Sequence, residues 1–183
     1  MNISGLHQRL VFLSLALVLA VPTLASARVV TVSKEPYAGA LVMDAATGQT
    51  LFEKSADIPA YPASVVKLMD LLIILEKIDQ GHTSLSNTIT VTPDICKIGG
   101  TQVWLKEHEV FTVEELIYAM MIRSANDAAA ALAVHVAGST EGFVDLMNKR
   151  ADQLGMIGTR FHSVHGLPPS KGEDPDVTTP RDL

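Results

Sequence analysis

Tyr61-Pro62-Ala63-Ser64-Val65-Val66-Lys67-Leu68-Met69 is the stretch on which the reading of this chain turns. A loop there runs into an apolar helix, and a spacing of three puts Ser64 and Lys67 on one helical face, one turn apart. A serine hydroxyl is a poor nucleophile until a base takes its proton. A lysine amine can be that base only where burial or a neighbouring cation lowers its pKa from the usual ~10.4. Ser64 also stands at a helix N-terminus, where unpaired N–H groups and the helix dipole favour developing negative charge. Taken alone, the four-residue pattern is equally that of an N-cap serine followed by a surface lysine.

A second motif supplies the context. Ser124-Ala125-Asn126 follows the apolar run Leu116-Ile117-Tyr118-Ala119-Met120-Met121-Ile122. Serine and asparagine two residues apart, between two helices, can point both side chains into one cleft. Ser124 is then placed to relay a proton to a leaving group and Asn126 to hydrogen-bond a substrate amide. Without the first motif, Asn126 reads as a cap for the helix that starts at Asp127.

Ser-x-x-Lys, Ser-x-Asn and Lys-Thr-Gly together mark the penicillin-recognising serine enzymes. The chain resembles the N-terminal part of a serine-type D-alanyl-D-alanine carboxypeptidase, a low-molecular-mass penicillin-binding protein. The resemblance runs from about Ala38 to the last residue. It takes in Leu41-Val42-Met43-Asp44-Ala45-Ala46-Thr47-Gly48, Gly99-Gly100-Thr101, Phe111-Thr112-Val113-Glu114-Glu115-Leu116, His165-Gly166-Leu167-Pro168 and Thr179-Pro180-Arg181-Asp182-Leu183 besides the two motifs. Val65-Val66 stands where the family usually has Leu-Thr, and Ala125 where it commonly has glycine. No Lys-Thr-Gly occurs in the chain. Thr179-Pro180-Arg181-Asp182 reads as a helix start with nothing to grow into, so the sequence reads as a partial one.

The resemblance implies an α+β fold of the DD-peptidase and serine β-lactamase type, a helical lobe with an antiparallel sheet whose C-terminal strands are missing here. It implies removal of the terminal D-alanine from peptidoglycan stem peptides ending in D-Ala-D-Ala. Ser64, Lys67 and Ser124 would be catalytic and Asn126 substrate-binding, with no cofactor and no metal. β-lactams would be covalent inhibitors, and a missing C-terminal segment could associate with the membrane. A fragment without the third motif is expected to be inactive alone. A DD-endopeptidase of the same superfamily and a truncated non-catalytic relic are the alternatives.

The N-terminus reads as a secretory signal over residues 1–27, leaving 28–183 as the partial catalytic domain. Arg9 precedes the apolar run Leu10 to Val21, and Ala25-Ser26-Ala27 offers small residues for cleavage before Arg28. That run is shorter than the ~20 residues a spanning helix needs. The reading places the protein outside the cytoplasmic membrane, in the periplasm or cell envelope. A formal net charge of −6, with no basic stripe, argues against nucleic acid as a partner. Cys96 is the single cysteine and reads as a buried or spare thiol.

Along the chain, Ala38 to Asp44 and Gln49 to Glu53 read as two strands joined by a turn. A helix is expected from about Ala63 to Gln80, apolar on most sides as in a central element. Asn87 to Val91 reads as a short strand. Thr112-Val113-Glu114-Glu115 is a capping box opening a helix to about Arg123. Further helices follow from Asp127 to Ala137 and from Thr140 to Leu154, each closed by glycine. His162 and His165 have a spacing that could face a metal, but no ligand cluster accompanies them, and turn histidines explain them better. Trp104 reads as core or as cleft wall.

Overall fold

The computed structural model describes residues 37–183. The expected signal segment and its cleavage site lie outside the described residues. The fold is of the α+β class, with four α-helices and two small antiparallel strand pairs among the described residues.

Strands β1 (Ala40–Met43) and β2 (Thr50–Lys54) pair antiparallel, Ala40 opposite Lys54, with a register shift between Val42 and Met43. The connecting turn is closed by Asp44, whose Oδ1 accepts from the N–H groups of Ala46 and Thr47 and from the Thr47 hydroxyl. Gly48 completes it at φ 72°. Val42, Met43 and Leu51 of this hairpin face solvent.

The helical entry differs from the expectation. Residues Ala63–Val66 form a 3-10 turn, and α1 proper spans Lys67–Asp79. The turn is tight because Ala63 sits at φ 47°, a left-handed conformation that alanine adopts only at a cost. Nor is α1 the central helix, since Leu68 and Leu75 are exposed. That place belongs to α3 (Asn126–Ala137), in which every residue from Asn126 to Ala133 is buried. Its alanines let neighbours approach from all sides. Met69, Ile73 and Ile74 of α1, Val113, Leu116 and Met120 of α2 (Val113–Arg123), and Phe143, Met147 and Ala151 of α4 (Thr140–Leu154) share one core with it.

The capping box at Thr112 forms as read. Thr112 Oγ1 accepts from the Glu115 N–H at 3.2 Å, and Glu115 Oε2 accepts from the Thr112 N–H at 2.7 Å. Gly138 and Gly155 end α3 and α4 in the left-handed conformation. Strand β3 (Thr88–Thr90) pairs with β4 (Val110–Thr112), a three-residue strand the sequence reading did not separate from the capping box.

Beyond α4 the chain is irregular yet tied down. Ala60 and Thr178 exchange backbone hydrogen bonds at 2.8 and 2.9 Å, as do Arg160 and Val177. Asn148, buried on α4, brackets Phe161 by donating to its carbonyl and accepting from its N–H. Thr179 caps the final turn, accepting from the Asp182 N–H at 3.1 Å. These ties bring the C-terminal loop against the segment that precedes Ser64.

Candidate active site

Lys67 is the centre of the site, and it is 2% exposed. Its Nζ donates to Asn126 Oδ1 at 2.8 Å, to the His165 carbonyl at 3.2 Å and to Ser64 Oγ at 3.3 Å. Three acceptors match the three protons of an ammonium. A neutral amine keeps two N–H donors and gains a lone pair. The carboxamide oxygen and the peptide carbonyl can only accept, so they hold the two donors. The lone pair is left facing Ser64, the one neighbour with a proton to give. Burial pulls the Lys67 pKa below its usual value, and the nearby Asp70 partly opposes that. Ser64 itself is exposed on the 3-10 turn, open to an incoming group.

Each of the three neighbours is positioned by its own surroundings. Asn126 is 2% exposed at the start of α3. Its Nδ2 donates to the Gly99 carbonyl at 2.8 Å, and its backbone N–H donates to the Thr101 carbonyl at 2.8 Å. Those contacts fix which end of the carboxamide meets Lys67. Gly100 permits them, because a Cβ there would stand 2.6 Å from Asn126 Nδ2. The adjacent Asp127, also buried, accepts from the N–H groups of Val103 and Leu105 and so holds the loop beyond. Trp104 in that loop, at φ 63° and 75% exposed, is not core.

The His165 carbonyl is delivered by a second polar loop. Asp176, buried, accepts from the N–H groups of His162 and Ser163 and from the Ser163 hydroxyl at 2.6 Å. Ser163 Oγ in turn accepts from the Gly166 N–H at 2.9 Å. His165 Nδ1 accepts from the Leu167 N–H at 3.2 Å, which leaves its neutral form protonated on Nε2. Burial lowers the His165 pKa, with Asp176 opposing, so the neutral imidazole is favoured there. Gly166, at φ 72°, lies so close to Ala63 that a Cβ would collide with the Ala63 carbonyl. The turn bearing Ser64 therefore rests directly on the loop that touches Lys67.

Ser64, Lys67 and Asn126 are thus joined by hydrogen bonds, although 59 residues separate Lys67 from Asn126. Ser124 stands two residues before Asn126, half-buried at the left-handed C-cap of α2, φ 59°. Its hydroxyl makes no hydrogen bond among the described residues. Sequence reasoning missed the His165 carbonyl, Asp176 and Ser163. It quoted Gly99-Gly100-Thr101 and His165-Gly166-Leu167 without giving them work, and those two motifs were the available signal.

Comparison with known proteins gives the family and the fold. Residues 28–183 match the family described as D-alanyl-D-alanine carboxypeptidase. D-alanyl-D-alanine carboxypeptidase DacF of Bacillus subtilis is 36% identical over 128 residues, 70% of this chain and 33% of that protein. The chain thus spans about a third of the length of that curated relative. Among solved structures, the D-alanyl-D-alanine carboxypeptidase DacD of Francisella tularensis superposes with a TM-score of 0.76 at 32% identity, over 82% of this chain and 35% of the other. Penicillin-binding protein D2 of Listeria monocytogenes, in its ampicillin-bound form, superposes with a TM-score of 0.69 at 30% identity, over 79% and 57% of the two chains. With its Ser64–Lys67–Asn126 cluster set in that fold, the chain belongs to the D-alanyl-D-alanine carboxypeptidase family.

Proposed function

We propose that the protein removes the terminal D-alanine from peptidoglycan stem peptides ending in D-Ala-D-Ala, through an acyl-enzyme on Ser64. The carrying observation is the buried Lys67 amine, whose lone pair can only be directed at Ser64 Oγ. In this reading Lys67 takes the Ser64 proton as Oγ forms a bond to the penultimate residue's carbonyl carbon. The resulting ammonium, with Ser124 as relay, returns a proton to the departing D-alanine nitrogen as the C–N bond breaks. Water then attacks the ester and frees Ser64. Asn126 has one Nδ2 proton beyond the one held by the Gly99 carbonyl, and this reading assigns that proton to a substrate carbonyl.

The same reading makes β-lactams covalent inhibitors, since Ser64 Oγ would open the strained amide by attack on its carbonyl carbon, breaking the ring C–N bond and leaving an ester on Ser64 that water releases slowly. It also places the working protein outside the cytoplasmic membrane, exported by residues 1–27, with a mature start at Arg28 that N-terminal sequencing would detect. A Lys-Thr-Gly strand, by the family pattern, would complete the cleft and the oxyanion hole. The test is to label the full-length gene product with a fluorescent penicillin, digest it and map the adduct, then assay D-alanine release from a pentapeptide. An adduct on any residue but Ser64 would sink the assignment.

A further inference from the structure

Asp70 follows Lys67 by three residues on α1, on the same face and one turn further into the protein. It is 1% exposed, and neither of its carboxylate oxygens has a hydrogen-bond partner among the described residues. The contrast with the other two buried aspartates is informative. Asp127 and Asp176 each accept from two or more donors and hold a loop in place. Asp70 holds no loop. A buried carboxyl without a partner is costly, and it needs an account.

The charged and titratable groups around it supply one. Lys67 acts on Asp70 from its own helix, and Asp176 acts on it from the C-terminal loop. His165, on that same loop, feels both Asp176 and Lys67. No direct ion pair is open to Asp70, because all three donor directions of Lys67 are occupied by Ser64, Asn126 and His165. Whatever Asp70 does to Lys67 acts through space across one helical turn, in a site from which water is largely excluded.

We propose that Asp70 is a positioning residue for acylation: its carboxylate supplies the counter-charge that keeps buried Lys67 basic enough to take the Ser64 proton. The proposal rests on the Ser64–Lys67 reading above and deepens it. When Lys67 removes the proton, an ammonium forms where neutral dipoles are its only direct partners. Burial alone would make that ammonium too acidic, and a base weakened in this way has little drive to accept a proton. A carboxylate one turn away offsets the weakening. Asp70 itself neither gains nor loses a proton in the step, which passes from Ser64 Oγ to Lys67 Nζ. The two groups act on each other, since Asp70 pushes the Lys67 pKa up against burial and Lys67 pulls the Asp70 pKa down against burial, which holds it well above the ordinary carboxylate range; the counter-charge therefore acts at pH values where Asp70 is ionised.

The test is the pH profile of acylation by a fluorescent penicillin, measured on the full-length gene product and its Asp70→Asn variant. Asparagine keeps the shape and removes the charge. The limb on which Lys67 loses its proton is expected to move to lower pH by roughly one unit or more, with a lower plateau from the weaker base. Asp70→Leu is expected to move the limb the same way if the asparagine variant folds poorly. Superimposable limbs in a folded variant, or a shift to higher pH, would overturn the proposal and reduce Asp70 to a structural residue. Should neither variant fold, the Lys67 ε-carbon resonance in isotopically labelled wild-type protein decides. Two titration steps belonging to the coupled pair are expected, and a single step refutes the coupling. Absence of any Ser64 adduct in the wild type would instead refute the functional reading itself.

Discussion

Replacing Gly166 by alanine tests whether the backbone beneath the nucleophile is as tightly built as the structure says. Two costs follow from the residue's surroundings. Gly166 holds φ 72°, which costs a residue with a Cβ about 1–2 kcal/mol. The added methyl also meets the Ala63 carbonyl, a backbone group with no flexible end to swing aside. Either Ala63 moves, carrying Ser64 next to it, or the 163–167 loop retreats and takes the His165 carbonyl from Lys67, now 3.2 Å away. Both movements disturb the alignment of nucleophile and base, and a misplacement of ~1 Å can cost ~10²-fold in rate. The expected result is a thermal midpoint lowered by a few degrees (for ~2 kcal/mol in a domain of this size) with penicillin acylation slowed ~10²-fold. Stopped-flow or gel-based labelling measures the second, calorimetry the first. Acylation within about threefold of wild type would refute the claim that this contact sets the geometry of the site.

Lys67→Arg should nearly abolish acylation, because a guanidinium keeps its proton at any accessible pH, and labelling at near-normal rate would remove Lys67 as the base. Ser124→Ala should slow acylation while leaving the unfolding midpoint unchanged, since its hydroxyl holds nothing else among the described residues; an unchanged rate would make Ser124 a structural corner. Thr112→Ala removes the acceptor of the Glu115 N–H and should cost about 1 kcal/mol in denaturant unfolding without touching acylation. Stability should also carry the signature of Asp70, whose folded pKa is raised well above 3.8. Between those values the folded state binds more protons than the unfolded one, so stability should fall as pH rises through that window, and Asp70→Asn should flatten the slope.

Much of the helical lobe was legible because its ends are written in local chemistry. Thr112 with Glu115, and Gly138 and Gly155 in the left-handed conformation, marked where α2 begins and where α3 and α4 stop. The entry to α1 was not legible, since Ala63 gives no sign that tertiary contact forces it to φ 47°. Strand β4 is three residues long and exists by pairing with β3, which no local pattern announces. Burial ranking failed for a related reason. The many leucines of α1 suggested the central helix, yet the alanines of α3 hold that place, because closeness of packing favours small side chains over apolar bulk. In the site, the two motifs pointed to Ser64, Lys67, Ser124 and Asn126, of which hydrogen bonds join Ser64, Lys67 and Asn126. The His165 carbonyl escaped notice because a backbone acceptor carries no residue type, and Asp70 because an acid in a helix that also carries Glu76 and Asp79 is commonly a solvated position.

The way Lys67 is held explains why so many glycines and buried polar residues surround a site with so few reacting groups. In the proposed mechanism the amine serves as a base only if its lone pair has one place to go. That requires two acceptors held rigidly on its other sides, and neither Asn126 nor the His165 carbonyl is rigid by nature. Asn126 is made so by the Gly99 and Thr101 carbonyls, which approach because Gly100 has no side chain. The His165 carbonyl is made so by Asp176 through Ser163 and by Gly166 lying flat on Ala63. Loosening either support would let an acceptor turn away and free the lone pair to point elsewhere, and the 3.3 Å contact with Ser64 Oγ would lose its direction before it lost its distance. Substitutions at Gly100, Ser163 or Asp176 should therefore lower the acylation rate far more than they lower affinity for the penicillin, since they change where the proton can go without pushing on the turn that bears Ser64.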